Sequence, residues 1–169
     1  MEKQNDILVS PDGFLTWNGE KFRCAVGKGG ILEDKKEGDG GTPVGCFSLR
    51  EVFYRADKIE KPTTILPIRA LLKNDGWCDE STDPNYNKRV SLPYTASHEE
   101  LWREDDLYDI IVPVGYNDDS PIPGKGSAIF MHVARPALTP TAGCIAMSLP
   151  DLLKILSEIT PETKICISK

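Results

Sequence analysis

Apolar positions along the chain come in short runs cut by turn residues, a pattern that favours strands over helices. Ile7-Leu8-Val9 is closed by Pro11-Asp12-Gly13, and Phe14, Leu15 and Trp17 run into Asn18-Gly19. Asn-Gly between apolar runs is a strong hairpin signal, and Phe22-Arg23-Cys24-Ala25-Val26 reads as the returning strand. Gly27 to Gly30 predicts a turn, and the charged, glycine-rich stretch 33–45 a loop. A strand is expected over 46–54. The Pro-, Asn- and Asp-rich stretch 55–97 predicts loops with brief strands. Further strands are expected over 108–114, over 128–133 (carrying His132 at its end) and over 164–167.

Two stretches predict helices. Ser97 followed by Glu100 has capping-box spacing, which predicts a short helix over 97–102. Near the carboxyl end, Ser148 is an N-cap candidate, Pro150 suits the first turn, and Asp151 adds favourable negative charge. Leu149, Leu152, Leu153, Leu156 and Ile159 then give one apolar helical face, stopped at Thr160-Pro161. The whole reads as mainly β, with two helices and long loops.

Length and composition narrow the function classes. A chain of 169 residues without internal repeats fits a single domain over 1–169 that buries its own core. A net charge of -6 and no basic stripe argue against nucleic acid or anionic membrane as partners. Five cysteines (Cys24, Cys46, Cys78, Cys144, Cys166), an odd number without a framework, suit a reducing compartment. The polar amino terminus lacks the apolar core of a signal peptide, and no later run is long enough to span a bilayer. With Met1 as the native start, these features lead to the expectation of a cytoplasmic protein.

Most candidate chemistries fail on residue type. The loop Gly38-Asp39-Gly40-Gly41-Thr42-Pro43-Val44-Gly45 lacks the Lys-Ser/Thr ending of a phosphate-binding loop. Gly124-Lys125-Gly126 lacks the third glycine of a dinucleotide fingerprint, so both read as turns needing positive φ. Two histidines, His98 and His132, and no Cys-x-x-Cys pair argue against a metal site, and no cofactor is expected. The acidic groups at Asp105-Asp106, Asp109 and Asp118-Asp119 read as solvated surface. No Gly-x-Ser-x-Gly elbow is present. Core packing is the expected role of Trp77, Trp102 and Tyr116.

The stretch from Phe130 to Ala146 is different. His132 ends an apolar strand, a proline-punctuated loop follows, and Gly143-Cys144 opens another apolar piece. The eleven intervening residues are enough for a strand end, a loop and a return, so the two side chains can meet. An imidazole beside a thiol can take its proton and generate the nucleophile, while the amides of Gly143 and Cys144 can serve an oxyanion. The same pattern fits a buried structural cysteine beside a core histidine.

Two stretches together resemble the YkuD-type L,D-transpeptidase domain. Thr42-Pro43-Val44-Gly45-Cys46-Phe47 is similar to the family's Thr-Pro-x-Gly-x-Phe motif. His132 with Thr141-Ala142-Gly143-Cys144 is similar to its His…Ser/Thr-His-Gly-Cys signature. The resemblance spans roughly residues 7–167. It implies a mixed β-sandwich with few helices and a thioester mechanism on the L,D bond of peptidoglycan stem tetrapeptides. By that resemblance Cys144 is the nucleophile, His132 the base, Val133 the orienting carbonyl, and Gly143 with Cys144 the oxyanion donors. Thr141 and Arg135 are the candidate substrate contacts. The chain departs from the family at Ala142, where a His is usual, and at Ala146, where an Arg is usual; Arg135 in the short loop is the candidate replacement.

The cytosolic expectation selects among uses of such a site. Trimming recycled stem peptides, an L,D-carboxypeptidase reaction resolved by water, fits it best. The alternatives are a transpeptidase forming 3,3 cross-links or exchanging D-amino acids, and a non-catalytic peptidoglycan-binding module. The expected partners are stem peptides or muropeptides, with no obligate protein partner.

Overall fold

The computed structural model describes residues 5–169. The expectation drawn from the polar amino terminus rests partly on residues 1–4, which lie outside them. Strands β1 (Ile7–Ser10), β2 (Phe14–Trp17) and β3 (Glu20–Ala25) form an antiparallel meander. Its second turn is the Asn18-Gly19 hairpin, with both residues at positive φ as a tight turn of that hand requires. Short parallel strands β4 (Ile31–Leu32) and β5 (Thr42–Pro43) bracket the glycine-rich loop. Next come β6 (Gly45–Ser48), β7 (Val52–Tyr54), β8 (Ile68–Ala70), β9 (Asp75–Cys78), β10 (Arg89–Ser91) and β11 (His98–Glu100). Strands β12 (Ile110–Pro113), β13 (Phe130–Val133) and β14 (Ile145–Met147), helix α1 (Leu149–Glu158) and β15 (Lys164–Ile167) complete the chain.

Ten strands share one mixed sheet in the order β6-β15-β1-β2-β3-β14-β13-β12-β7-β8. Consecutive strands β6 and β7 lie near opposite ends of that order. The expected single strand over 46–54 is therefore two, broken at Leu49–Glu51. Here Gly115 N–H donates to Ser48 O at 2.8 Å and Arg50 N–H to Pro113 O at 3.0 Å. A sheet whose two ends are joined by so short a connection has to curl upon itself, which gives the mixed β architecture expected.

Side-chain alternation then makes two cores. Inside the curl lie Val9, Leu15, Val112, Met131, Ile145 and Ile165, sealed by Leu152, Ile155 and Leu156 of α1. Ser148 caps that helix, its hydroxyl accepting from Asp151 N at 3.3 Å. On the opposite face of β12–β14, Ile111, Phe130 and Cys144 join Phe53, Leu71, Trp77, Leu101 and Tyr108. Of the small sheet β10-β9-β11, Trp77 on β9 belongs to this second cluster.

Two expectations are corrected. Residues 98–100 are strand β11, paired antiparallel to β9 with Glu99 opposite Trp77, and the adjacent Leu101 is fully buried. Pairing and burial override the local capping-box signal. The cysteines are not all reduced: Cys46 and Cys166 face each other across β6 and β15 with Cα atoms 4.0 Å apart and form a disulfide. Cys24, Cys78 and Cys144 remain as free thiols. Among the described residues, no helix is long and apolar enough to cross a membrane.

Candidate active site

The parallel neighbours β13 and β14 set the geometry of the Cys-His pair. His132 lies opposite Ala146, and Met131 opposite Ile145. Cys144, one residue before Ile145, therefore falls level with Phe130, whose N–H lies 3.4 Å from the Cys144 sulfur. His132 and Phe130 are two apart on one strand, Cys144 and Ala146 two apart on the next, so all four side chains share one face. Cys144 and His132 line the same cavity of about 350 Å3, with Lys28, Lys35, Asp79, Glu99, Arg103, Tyr108, Arg135, Thr141 and Ala142 among its other walls.

The imidazole is held in one tautomer. Its Nδ1–H donates to Val133 O at 2.8 Å, which leaves Nε2 as the proton acceptor. Tyr108 packs edge-on against the ring, at 5.3 Å between centroids, and its hydroxyl donates to the Glu99 carboxylate. Burial pushes the His132 pKa below its ordinary value, so the ring is neutral near pH 7. Burial also pushes the Cys144 thiol up to about 12, with the Glu99 charge adding to it. The thiol donates to Ala128 O at 3.2 Å. The resting pair is thus thiol and neutral imidazole, not thiolate and imidazolium.

Arrangement at the cysteine amide is equally specific. Gly143 N–H donates to Thr141 Oγ1 at 3.0 Å, and the Thr141 hydroxyl donates to Cys144 O at 2.6 Å. The Gly143 amide is therefore engaged, and Thr141 is tied to the backbone although it also lines the cavity. Cys144 N–H has no partner among the described residues and is the donor open to an oxyanion. Gly143 adopts φ +135°, and a Cβ there would meet Gly41 O at 2.7 Å. Only glycine satisfies both restrictions.

Cations and anions both reach the cavity. Arg135 is exposed at its rim, with no carboxylate partner among the described residues, beside Lys28 and Arg103. Asp79 and Glu99 supply negative charge, and one Asp79 oxygen is buried without a hydrogen-bond partner. Ala146, where the resemblance leads one to expect an arginine, is buried between His132 and Ala25 in the ladder. Trp77 and Phe130 pack edge-to-face at 5.0 Å, and neither Trp77, Trp102 nor Tyr116 lines the cavity. No group of three His, Cys, Asp or Glu able to hold a metal occurs among the described residues.

Three contributors were not legible in the sequence. Tyr108 packs edge-on against the imidazole. Asn87, buried at φ 58°, accepts from Ala128 N at 3.0 Å and from Trp77 Nε1 at 2.9 Å. It thereby holds Ala128, itself at φ 54°, with its carbonyl on the thiol. Thr42 reaches Gly143 O, 101 residues away, at 2.8 Å. The Thr-Pro-x-Gly resemblance marked Thr42 without a role; nothing local marks Asn87 or Tyr108.

No curated protein matches the chain. Among solved structures, an L,D-transpeptidase from Mycobacterium smegmatis is similar at 14% identity and a TM-score of 0.45, covering 96% of this chain and 58% of that one. The chain thus spans less than two thirds of that neighbour's length. Residues 4–167 match the YkuD family model, described as the L,D-transpeptidase catalytic domain. Matched over nearly its whole length, the chain belongs to the YkuD family of L,D-transpeptidase catalytic domains.

Proposed function

We propose that the chain is a single-domain cysteine enzyme that cleaves the L,D bond of peptidoglycan stem tetrapeptides and releases terminal D-alanine, an L,D-carboxypeptidase. The observation that carries this reading is the shared face of Phe130, His132, Cys144 and Ala146, which puts Cys144 and neutral His132 at one cavity, with the Cys144 N–H free of any partner among the described residues. Substrate binding displaces the thiol from Ala128 O. The Sγ proton passes to His132 Nε2 as the sulfur bonds to the carbonyl carbon of the third residue. Cys144 N–H receives the oxyanion. The C–N bond breaks, the imidazolium gives its proton to the departing D-alanine amine, and a thioester remains. Water, deprotonated by His132, attacks the thioester and restores the thiol and a tripeptide carboxylate.

The cavity supports this substrate class and acceptor. Its two signs of charge suit a stem-peptide end that carries both ammonium and carboxylate groups. Arg135 is positioned to clamp a carboxylate in place of the arginine absent at Ala146. A cavity of about 350 Å3, at the lower end of ligand-pocket sizes, suits one stem-peptide end and water better than two peptides. The test is product analysis with disaccharide tetrapeptide. Wild type is expected to release D-alanine and leave tripeptide, and Cys144→Ala and His132→Gln to release none. D-alanine release by Cys144→Ala would remove the cysteine from the mechanism.

One observation favours a second reading. The Cys46–Cys166 disulfide suits an oxidising compartment better than the cytoplasm assumed for peptide recycling. In an extracytoplasmic setting an amine acceptor replaces water, and the product is a 3,3 cross-link or an exchanged tetrapeptide. Supplying a D-amino acid separates the two: mainly exchanged tetrapeptide supports transpeptidation, mainly tripeptide supports hydrolysis.

A further inference from the structure

We infer that Thr42 is a positioning residue that aims the oxyanion donor at Cys144, an inference that rests on the proposed acylation of that cysteine. Thr42 is fully buried, and its hydroxyl has two bonds. It accepts from Gly27 N–H at 2.8 Å and donates to Gly143 O at 2.8 Å. The direction of each bond is forced, because a backbone N–H only donates and a carbonyl only accepts. The single hydroxyl proton is therefore committed to Gly143.

That bond fixes more than a carbonyl. In a planar trans peptide the Gly143 C=O and the Cys144 N–H point in opposite directions. Anchoring the carbonyl on Thr42 turns the Cys144 N–H away from the Thr42 hydroxyl, and Thr141, Ala142 and Cys144 around it line the cavity. Neighbouring peptides are held as well, since Thr141 Oγ1 bonds both Gly143 N and Cys144 O. Thr141 N donates to Val26 O at 3.0 Å, and Lys28 N to Thr141 O at 2.8 Å. Three backbone segments meet around the Thr42 hydroxyl. They approach so closely that a Cβ on Gly27 would lie 2.2 Å from Gly40 O and 3.0 Å from Gly143 Cα. Thr42 thus links the two distant motifs: the first supplies the hydroxyl, the second the peptide that it orients.

Acylation develops an oxyanion, whereas alkylation of the same thiol does not, and this difference provides the test. Acylation of Cys144 by 4-nitrophenyl acetate, read as nitrophenolate release with a mass-shift assignment, is compared with alkylation by iodoacetamide. In Thr42→Val, acylation is expected to fall by about 10- to 100-fold, since a misaimed donor forfeits much of the roughly 10²- to 10³-fold that one donor is worth. Alkylation should stay within about twofold of wild type, and with tetrapeptide kcat should fall while KM holds. Thr42→Ser keeps the hydroxyl, and its acylation-to-alkylation ratio should stay within about twofold of wild type. Equal loss of both reactions in Thr42→Val, or no loss of either, overturns the inference. A tenfold fall of the ratio in Thr42→Ser does so too, even if Thr42→Val does not fold. Wild-type Cys144 that alkylates but never acylates would instead sink the proposed mechanism itself.

Discussion

Removing the Cys46–Cys166 bridge tests both the fold and the compartment argument. The bridge ties edge strand β6 to β15 across a sequence separation of 120 residues. Closing a loop of that length removes denatured-chain entropy corresponding to about 5 kcal/mol at 25 °C in the chain-entropy model. Structure retained in the denatured state reduces this, so about 2–5 kcal/mol is expected. For a chain of 169 residues, at roughly 2–4 °C per kcal/mol, the melting temperature falls by about 4–20 °C. The assay is thermal unfolding of wild type against Cys46→Ser/Cys166→Ser, with thiols counted under denaturing, non-reducing conditions. Three titratable thiols are expected in wild type, corresponding to Cys24, Cys78 and Cys144. A count of five, or melting temperatures within about 1 °C of each other, would refute the reasoning and restore the reading of five reduced cysteines.

Other predictions concern the site. With His132 depressed by burial and the thiol raised to about 12, kcat/KM should rise only as pH climbs through a value below 6.5 and then stay flat to about pH 9. An acid limb centred above 6.5, or a fall near 8.5, would contradict the neutral-pair assignment. Arg135→Ala should raise KM for tetrapeptide about tenfold or more with little change in kcat, and unchanged kinetics would remove it from the site. Gly143→Ala should cost about 2–4 kcal/mol in denaturant unfolding, because positive φ and the contact with Gly41 O act together.

Much of the fold was legible because it is written in period-two alternation. The Asn18-Gly19 hairpin, the strand expected over 128–133 and found over Phe130–Val133, and the Ser148 cap each follow from neighbouring residues. Residues 97–102 misled for the complementary reason: Ser97 and Glu100 are a local signal, whereas β9 is a distant partner that binds the segment as a strand. The pairing of Cys46 with Cys166 depends on β6 returning beside the last strand, a register that no spacing encodes. Within the site, the Cys-His spacing was readable because β13 and β14 are close in sequence. Thr42 and Asn87 were not, because their partners, backbone groups and for Asn87 also the Trp77 indole, are brought near only by the fold.

The resting state of the pair explains why this site needs such wiring. Burial acts on both members in the same sense, disfavouring the thiolate and the imidazolium alike. A preformed ion pair is therefore the wrong source of reactivity here. The thiol instead rests on Ala128 O, a carbonyl held in place through Asn87, with a neutral Nε2 waiting in the same cavity. In the proposed reaction nucleophilicity arises when the scissile carbonyl arrives, as one proton moves from sulfur to nitrogen and charge collects on the oxygen facing Cys144 N–H. Under that scheme the barrier depends on how well the amide donor is aimed, not on how much thiolate is present beforehand. By that proposal a buried hydroxyl in the first motif, Thr42, bears on the chemistry of a cysteine 102 positions later.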